Sequence, residues 1–160
     1  MLAVKLLTVF LLSAIFYQDV RARMVHGFLF PLTALFLGIL HYFNVEKTGF
    51  YIGVAGNMIF ISVLILFLFL YSKIKLKRSF LHESFGLGDM LFFYAVCFAF
   101  PNYTFAVLFV FSVLFSLFAH LALKKKMKDK TVPLAGYMSL FFAITFGISM
   151  LYKPFSLYLL

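Results

Sequence analysis

Gly86-Leu87-Gly88-Asp89, running on into Met90-Leu91-Phe92-Phe93-Tyr94, is the stretch on which the reading of this chain turns. It sets an acidic residue at the threshold of an apolar run, in a chain with only five acids. The others are Asp19, Glu46, Glu83 and Asp129. A carboxylate at the edge of a hydrophobic segment is costly, so it marks a functional site by default and its partner is the first thing to seek. Asp19 is the candidate. It follows the first apolar segment as Asp89 opens the fourth.

Working outward, 65% of the 160 residues are apolar, with twenty-five phenylalanines and no tryptophan. That exceeds the apolar share of soluble domains, and the excess recurs to the C-terminal end. A signal peptide followed by a secreted domain is thereby excluded. No stretch is long and polar enough for a separate soluble domain, so residues 1–160 read as a single membrane-embedded domain. The one cysteine, Cys97, lies within an apolar run with no partner for a disulfide or zinc site, and reads as a buried thiol. A formal charge of +9 raises the question of nucleic acid. The basic residues, however, sit in short loops between apolar segments, which is the pattern of membrane topology and contact with anionic lipid. Nucleic-acid binding is rejected.

Six apolar segments are legible, at 2–17, 28–43, 50–71, 89–100, 103–123 and 134–152. The expected fold is an all-α membrane protein, a bundle of six transmembrane helices. Crossing a bilayer takes about 20 helical residues. The third, fifth and sixth segments reach that, and the first two are marginal. Arg21 and Arg23 lie in the first loop, Lys73, Lys75, Lys77 and Arg78 in the third, and Lys124, Lys125, Lys126, Lys128 and Lys130 in the fifth. The other side receives only Lys47 and Lys153. This bias predicts loops one, three and five in the cytoplasm and both termini outside. Lys5 opposes it mildly, but so near the end it can snorkel to the outer interface.

The fourth segment is short, and Pro101-Asn102 predicts an outer turn after it. Counting back about 20 residues from that turn reaches Leu81. Either the helix runs back that far, leaving Asp89 about 10 Å below the cytoplasmic boundary, or it starts near Gly88 and a wet notch dips to meet it. Both versions put the carboxylate beneath the interface. Non-helical backbone is tolerated there only where protein or water surrounds it.

Two carboxylates sharing one site lose their protons in separate steps, because each charge opposes the other. The pair then offers one ionised group to activate water and one protonated group to donate to a carbonyl. Those titrations belong to the pair, not to either residue. Gly86 and Gly88 are expected to take up conformations closed to other residues and to let an extended chain dock beside the acid. A Gly-Asp step before an apolar run is also an ordinary helix start. Asp19 on the same side of the membrane favours chemistry.

Tyr17-Gln18-Asp19-Val20-Arg21-Ala22-Arg23-Met24-Val25 resembles the first aspartate motif of type IV prepilin peptidases, and Gly86-Leu87-Gly88-Asp89 their second. Val132-Pro133-Leu134-Ala135-Gly136 resembles the entry to their last span. Size, six spans and motif order are similar to the peptidase core of that family across nearly the whole chain. The resemblance implies an inner-membrane aspartic-type endopeptidase that uses Asp19 and Asp89, needs no metal or organic cofactor, and removes short basic leaders from single-span pilin-like proteins at the cytoplasmic face. It places Gly86, Gly88, Arg21, Arg23 and Pro133 as substrate-docking or supporting residues. The chain departs from the pattern at His26, where the family often has Pro, and at Leu91, where it often has Lys. The Cys-motif domain of the larger enzymes has no counterpart here, so their methylation is not carried over. The run into Tyr94 also looks like the second motif of presenilins, which are much larger.

The remaining polar residues read more simply. His26 and His82 are solvated loop histidines, His41 lies near the outer end of span two, and His120 near the inner end of span five. Without clustered ligands none suggests a metal. Glu83 reads as a loop acid, and Gly53, Gly56 and Gly147 as places for close helix approach. Two rival functions fit the acids: a small proton-coupled transporter, and a catalytically inactive assembly scaffold. Transporters usually carry their ionisable groups near the midplane on broken helices, whereas Asp19 and Asp89 stand at span ends.

Overall fold

A computed structural model of the chain describes residues 1–76, 86–123, 133–151 and 157–158. Six α-helices are found among the described residues: α1 (Leu2–Ala22), α2 (Leu29–Asn44), α3 (Lys47–Tyr71), α4 (Leu87–Val96), α5 (Asn102–Leu123) and α6 (Leu134–Leu151). A π-helical turn, Ser72–Leu76, continues α3. The described residues include no strand. Helix is what such apolar runs must form away from water, since it pairs each backbone N–H and C=O within its own segment. By length and composition α1, α3, α5 and α6 can each cross a membrane, while α2 and α4 are shorter apolar helices.

Contacts fix the direction of each helix. Phe30 of α2 lies beside Gly88 at the start of α4, and His41 beside Phe98 just past its end, so α2 and α4 run parallel. Phe92 and Phe100 meet Phe142, and Phe100 stacks on Phe146 at 5.4 Å, which aligns α6 with them. Gly56 lies against Asn102 at the start of α5, and Phe60, one turn on, meets Phe105 and Phe109, setting α3 and α5 parallel to each other. Asp19 near Gly136 turns α1 against α6. Successive helices therefore alternate in direction. The ends of α1, α3 and α5 gather with the starts of α2, α4 and α6.

The core between them is aromatic. Phe92, Phe100, Phe105, Phe142 and Phe146 are almost wholly buried, and Phe93 meets Phe109 edge-on at 5.0 Å. The outward faces of α3 and α5 are apolar as well, with Phe67 69% and Phe118 66% exposed. Water would not tolerate so broad an apolar surface, whereas lipid suits it.

Two helix ends differ from the sequence expectation, and the start of α4 decides between two expected ones. Helix α1 does not stop at residue 17 but carries Asp19 within it, ending where Arg23 turns left-handed (φ 55) and its N–H bonds back to the Asp19 carbonyl at 3.1 Å. Hydropathy falls where charge begins, but nothing in Gln18-Asp19-Val20-Arg21 breaks helical hydrogen bonding. Helix α4 begins at Leu87, with Gly86 extended before it, matching the later of the two starts considered. It also ends at Val96, short of Phe100. Ten residues rise about 15 Å, half the thickness of a bilayer core.

That early end is supported by side chains from other helices. Tight turns pair Cys97, Phe98 and Ala99 N–H groups with the last carbonyls of α4. Asn57 of α3 then donates through Nδ2 to the carbonyls of Cys97 (3.0 Å) and Phe100 (2.8 Å). His41 of α2 meets the Phe98 carbonyl through Nδ1 at 3.2 Å. A carbonyl only accepts, so Nδ1 carries the hydrogen. The irregular backbone is tolerated because protein surrounds and satisfies it.

Candidate active site

The site is built on the first turn of α6. A helix leaves its first amides without partners, and a polar side chain just before it usually supplies one. Pro133 occupies that position and has no such group. Its carbonyl accepts the first helical bond, from Tyr137 at 3.1 Å. The amides that follow are taken by two distant carboxylates. Asp89 Oδ1 accepts from the Ala135 N–H at 2.7 Å, and Asp19 Oδ2 accepts from the Gly136 N–H at 2.6 Å. Such short charge-assisted bonds are the strong kind, and the positive end of the α6 dipole adds to them.

Successive amide nitrogens of a helix are about 3 Å apart. The two bound oxygens therefore lie within about 8 Å of each other, and the Asp19 charge acts on Asp89. Both residues are half-buried. Seventy residues of chain separate them in sequence, and α6 brings them together by offering adjacent donors.

The glycines matter for space rather than for unusual backbone. No glycine among the described residues has positive φ, and Gly86 is extended at φ −74, ψ 139, a conformation open to any residue. The expected conformational role of Gly86 and Gly88 is thus corrected. A Cβ on Gly86 would stand 3.0 Å from Asp89 Oδ2, because Asp89 folds back over the start of its own helix as a third-position acid does. A Cβ on Gly88 would meet the Phe30 ring at an ordinary 3.7 Å. The tightest position at the pair was not singled out in the sequence: a Cβ on Gly136 would lie 2.9 Å from Asp19 Oδ2 and 3.0 Å from its Cβ. A Cβ there would force Asp19 to shift.

The two arginines part company. Arg23, half-buried and held by the left-handed turn, acts electrostatically on Asp19, Asp89 and the Tyr137 side chain. Arg21 is exposed and reaches back to the Tyr17 hydroxyl, with its guanidinium 5.5 Å from that ring centre. Gln18 accepts from the His26 backbone N–H at 3.0 Å and lies 3.0 Å from its Nδ1, tying down the turn beyond Asp19. His26 itself is exposed, as read from the sequence. His82, Glu83 and the basic cluster of the fifth loop lie outside the described residues.

At the opposite end, His41 and Asn57 were the residues that sequence reasoning underrated. Both are buried, and both support the early end of α4. Close approach at Gly56 is real, for a Cβ there would overlap the Asn102 side chain. Around Gly147 there is open space. Cys97 is buried, with its thiol donating to the Phe93 carbonyl at 3.3 Å.

Two chemistries are open to this arrangement. The carboxylates can serve as helix caps, each contributing about 1 kcal/mol. They can also hold a water and a proton between them, since α6 engages one oxygen of each, although the second oxygen of Asp89 is turned over the Gly86 backbone. No family model matches the chain, and neither do any of the curated proteins or solved structures with which it was compared.

Proposed function

We propose that this chain is a membrane-embedded aspartic endopeptidase of prepilin-peptidase type, with Asp19 and Asp89 as its catalytic pair. The observation that supports the reading is the meeting of the two carboxylates on successive amides of α6. Capping alone would be served by a single serine or aspartate at position 133. Recruiting two acids from two other helices concentrates charge in a half-buried place, which a structural role does not require.

In the proposed reaction the ionised carboxylate takes a proton from water while the water oxygen attacks the scissile carbonyl carbon. The protonated carboxyl donates to the carbonyl oxygen. The tetrahedral diol then gives a hydroxyl proton to the carboxylate that had donated one, the C–N bond breaks, and the proton gained from water passes to the leaving nitrogen, which restores one ionised and one protonated acid. The α6 amides orient both groups beforehand. Substrates would be single-span proteins carrying a short basic leader. All six apolar segments would cross an inner membrane, the fourth as α4 together with the turns that follow it, with the pair toward the cytoplasm and both termini outside, and anionic lipid would meet the basic loops.

The test is to incubate the purified chain in vesicles with membrane preparations, and sequence the new N-termini that appear. The same experiment with Asp19→Asn is the control. New termini in the first sample alone support the reading. Their absence from both leaves the scaffold, and proton flux across the vesicles would identify the transporter.

A further inference from the structure

We propose that the groove between α2 and α4 seats the membrane-spanning helix of the protein substrate and delivers the chain at that helix's end to Asp19 and Asp89. The inference rests on the endopeptidase reading and adds where, and how, such a substrate is held.

The groove is a cavity of about 770 Å³, open to the side and lined almost entirely by apolar groups. Three properties favour a helix over any other occupant. The first is continuity with the site. At one end the lining includes Phe30, which touches the Gly88 position beside Asp89. Neither acid lines the groove, so a chain leaving it at that end passes over Gly88 at the start of α4 to reach them. The second is length. The lining runs along α2 from Phe30 to Phe43, a rise of about 20 Å, roughly two-thirds of the thickness of a hydrocarbon core.

The third is the floor. Ala34 and Gly38 stand one turn apart on α2, and Ala95 faces them from α4. Small residues one turn apart let a second helix backbone approach closely, which is how helices associate where lipid removes the hydrophobic drive. Packing inside this protein does not demand the smallness of Gly38. A Cβ there would meet Phe98 at an ordinary 3.7 Å. Lipid tails can fill an apolar crevice too, but they need neither a small-residue floor nor an outlet at a pair of acids. A basic leader is excluded from so apolar a groove, so it remains beyond the pair and the cut falls at its junction with the helix.

The probe is a synthetic single-span reporter with a short Lys/Arg leader, reconstituted with the full chain in phosphatidylcholine–phosphatidylglycerol vesicles. A photo-crosslinking residue is placed at Ala34, with Phe111 on the exposed face of α5 as control, in the Asp19→Asn background so that the reporter stays intact. The expected result is cross-linking to the reporter from position 34 and none from 111. In parallel, Gly38→Leu should raise KM for the reporter about tenfold or more. It should leave unchanged the cleavage of a soluble peptide carrying only the leader and the junction. Capture of phospholipid alone at position 34, or an unchanged KM in a folded Gly38→Leu protein, overturns the proposal. A reporter left uncut by the unmodified chain overturns the endopeptidase reading instead, whatever position 34 captures, so the two failures are distinguished.

Discussion

Gly136→Ala is the most informative single change, because it alters one hydrogen into a methyl group against the Asp19–Asp89 pair. The new Cβ would start 2.9 Å from Asp19 Oδ2, 3.0 Å from its Cβ and 3.3 Å from its Cγ. Contact between such atoms is comfortable only beyond about 3.5 Å, so Asp19 must retreat by roughly half an ångström or more. Its side chain is short and mounted on α1, so the retreat stretches the 2.6 Å bond to the Gly136 N–H. Losing a charge-assisted bond costs about 1.5–3 kcal/mol. Alanine in a helix recovers about 1 kcal/mol over glycine. The net loss of stability is then only about 0.5–2 kcal/mol, and the protein should fold.

Activity should suffer more. A misplacement approaching 1 Å costs on the order of a hundredfold in kcat. The assay is cleavage of the single-span reporter in vesicles, with thermal unfolding followed on the same preparation. Gly147→Ala, in the same helix but with open space around it, is the matched control and should leave kcat unchanged. Wild-type kcat in Gly136→Ala would refute the argument that α6 positions Asp19 for chemistry.

Asp19→Asn and Asp89→Asn should each abolish cleavage, with the double variant no worse, because members of one catalytic unit are not additive. Asparagine caps helices as well as aspartate does, so both variants should keep wild-type helical circular dichroism, and residual turnover in either would remove that residue from the pair. Reporter fusions after Arg78 and Lys128 should read cytoplasmic and those near Glu46 and at Leu160 external, whereas a cytoplasmic Leu160 would mean an odd number of crossings. Asn57→Leu strands the Cys97 and Phe100 carbonyls and should cost about 2–4 kcal/mol, seen as a lowered unfolding midpoint, with a neutral result showing that α4 ends as it does for some other reason.

Much of this protein was legible in its residues because the governing forces are local. Apolar runs without polar alternation become helices wherever water is absent, and the segments at 28–43, 103–123 and 134–152 fall within a residue of α2, α5 and α6. The rarity of acids singled out Asp19 and Asp89, because each charge near lipid is expensive whatever surrounds it. Hydropathy misjudged the ends of α1 and α4, since helices stop where hydrogen bonds find other partners. For α4 those partners are Asn57 and His41, forty and more residues away. The meeting of the two acids is also a tertiary fact. Pro133 leaves the first amides of α6 without a cap of their own, and only the packing of α1 and α4 around that helix decides that Asp19 and Asp89 fill the vacancy together. The preference for glycine at 136 follows from the same packing, because a Cβ there would crowd a side chain 117 residues distant.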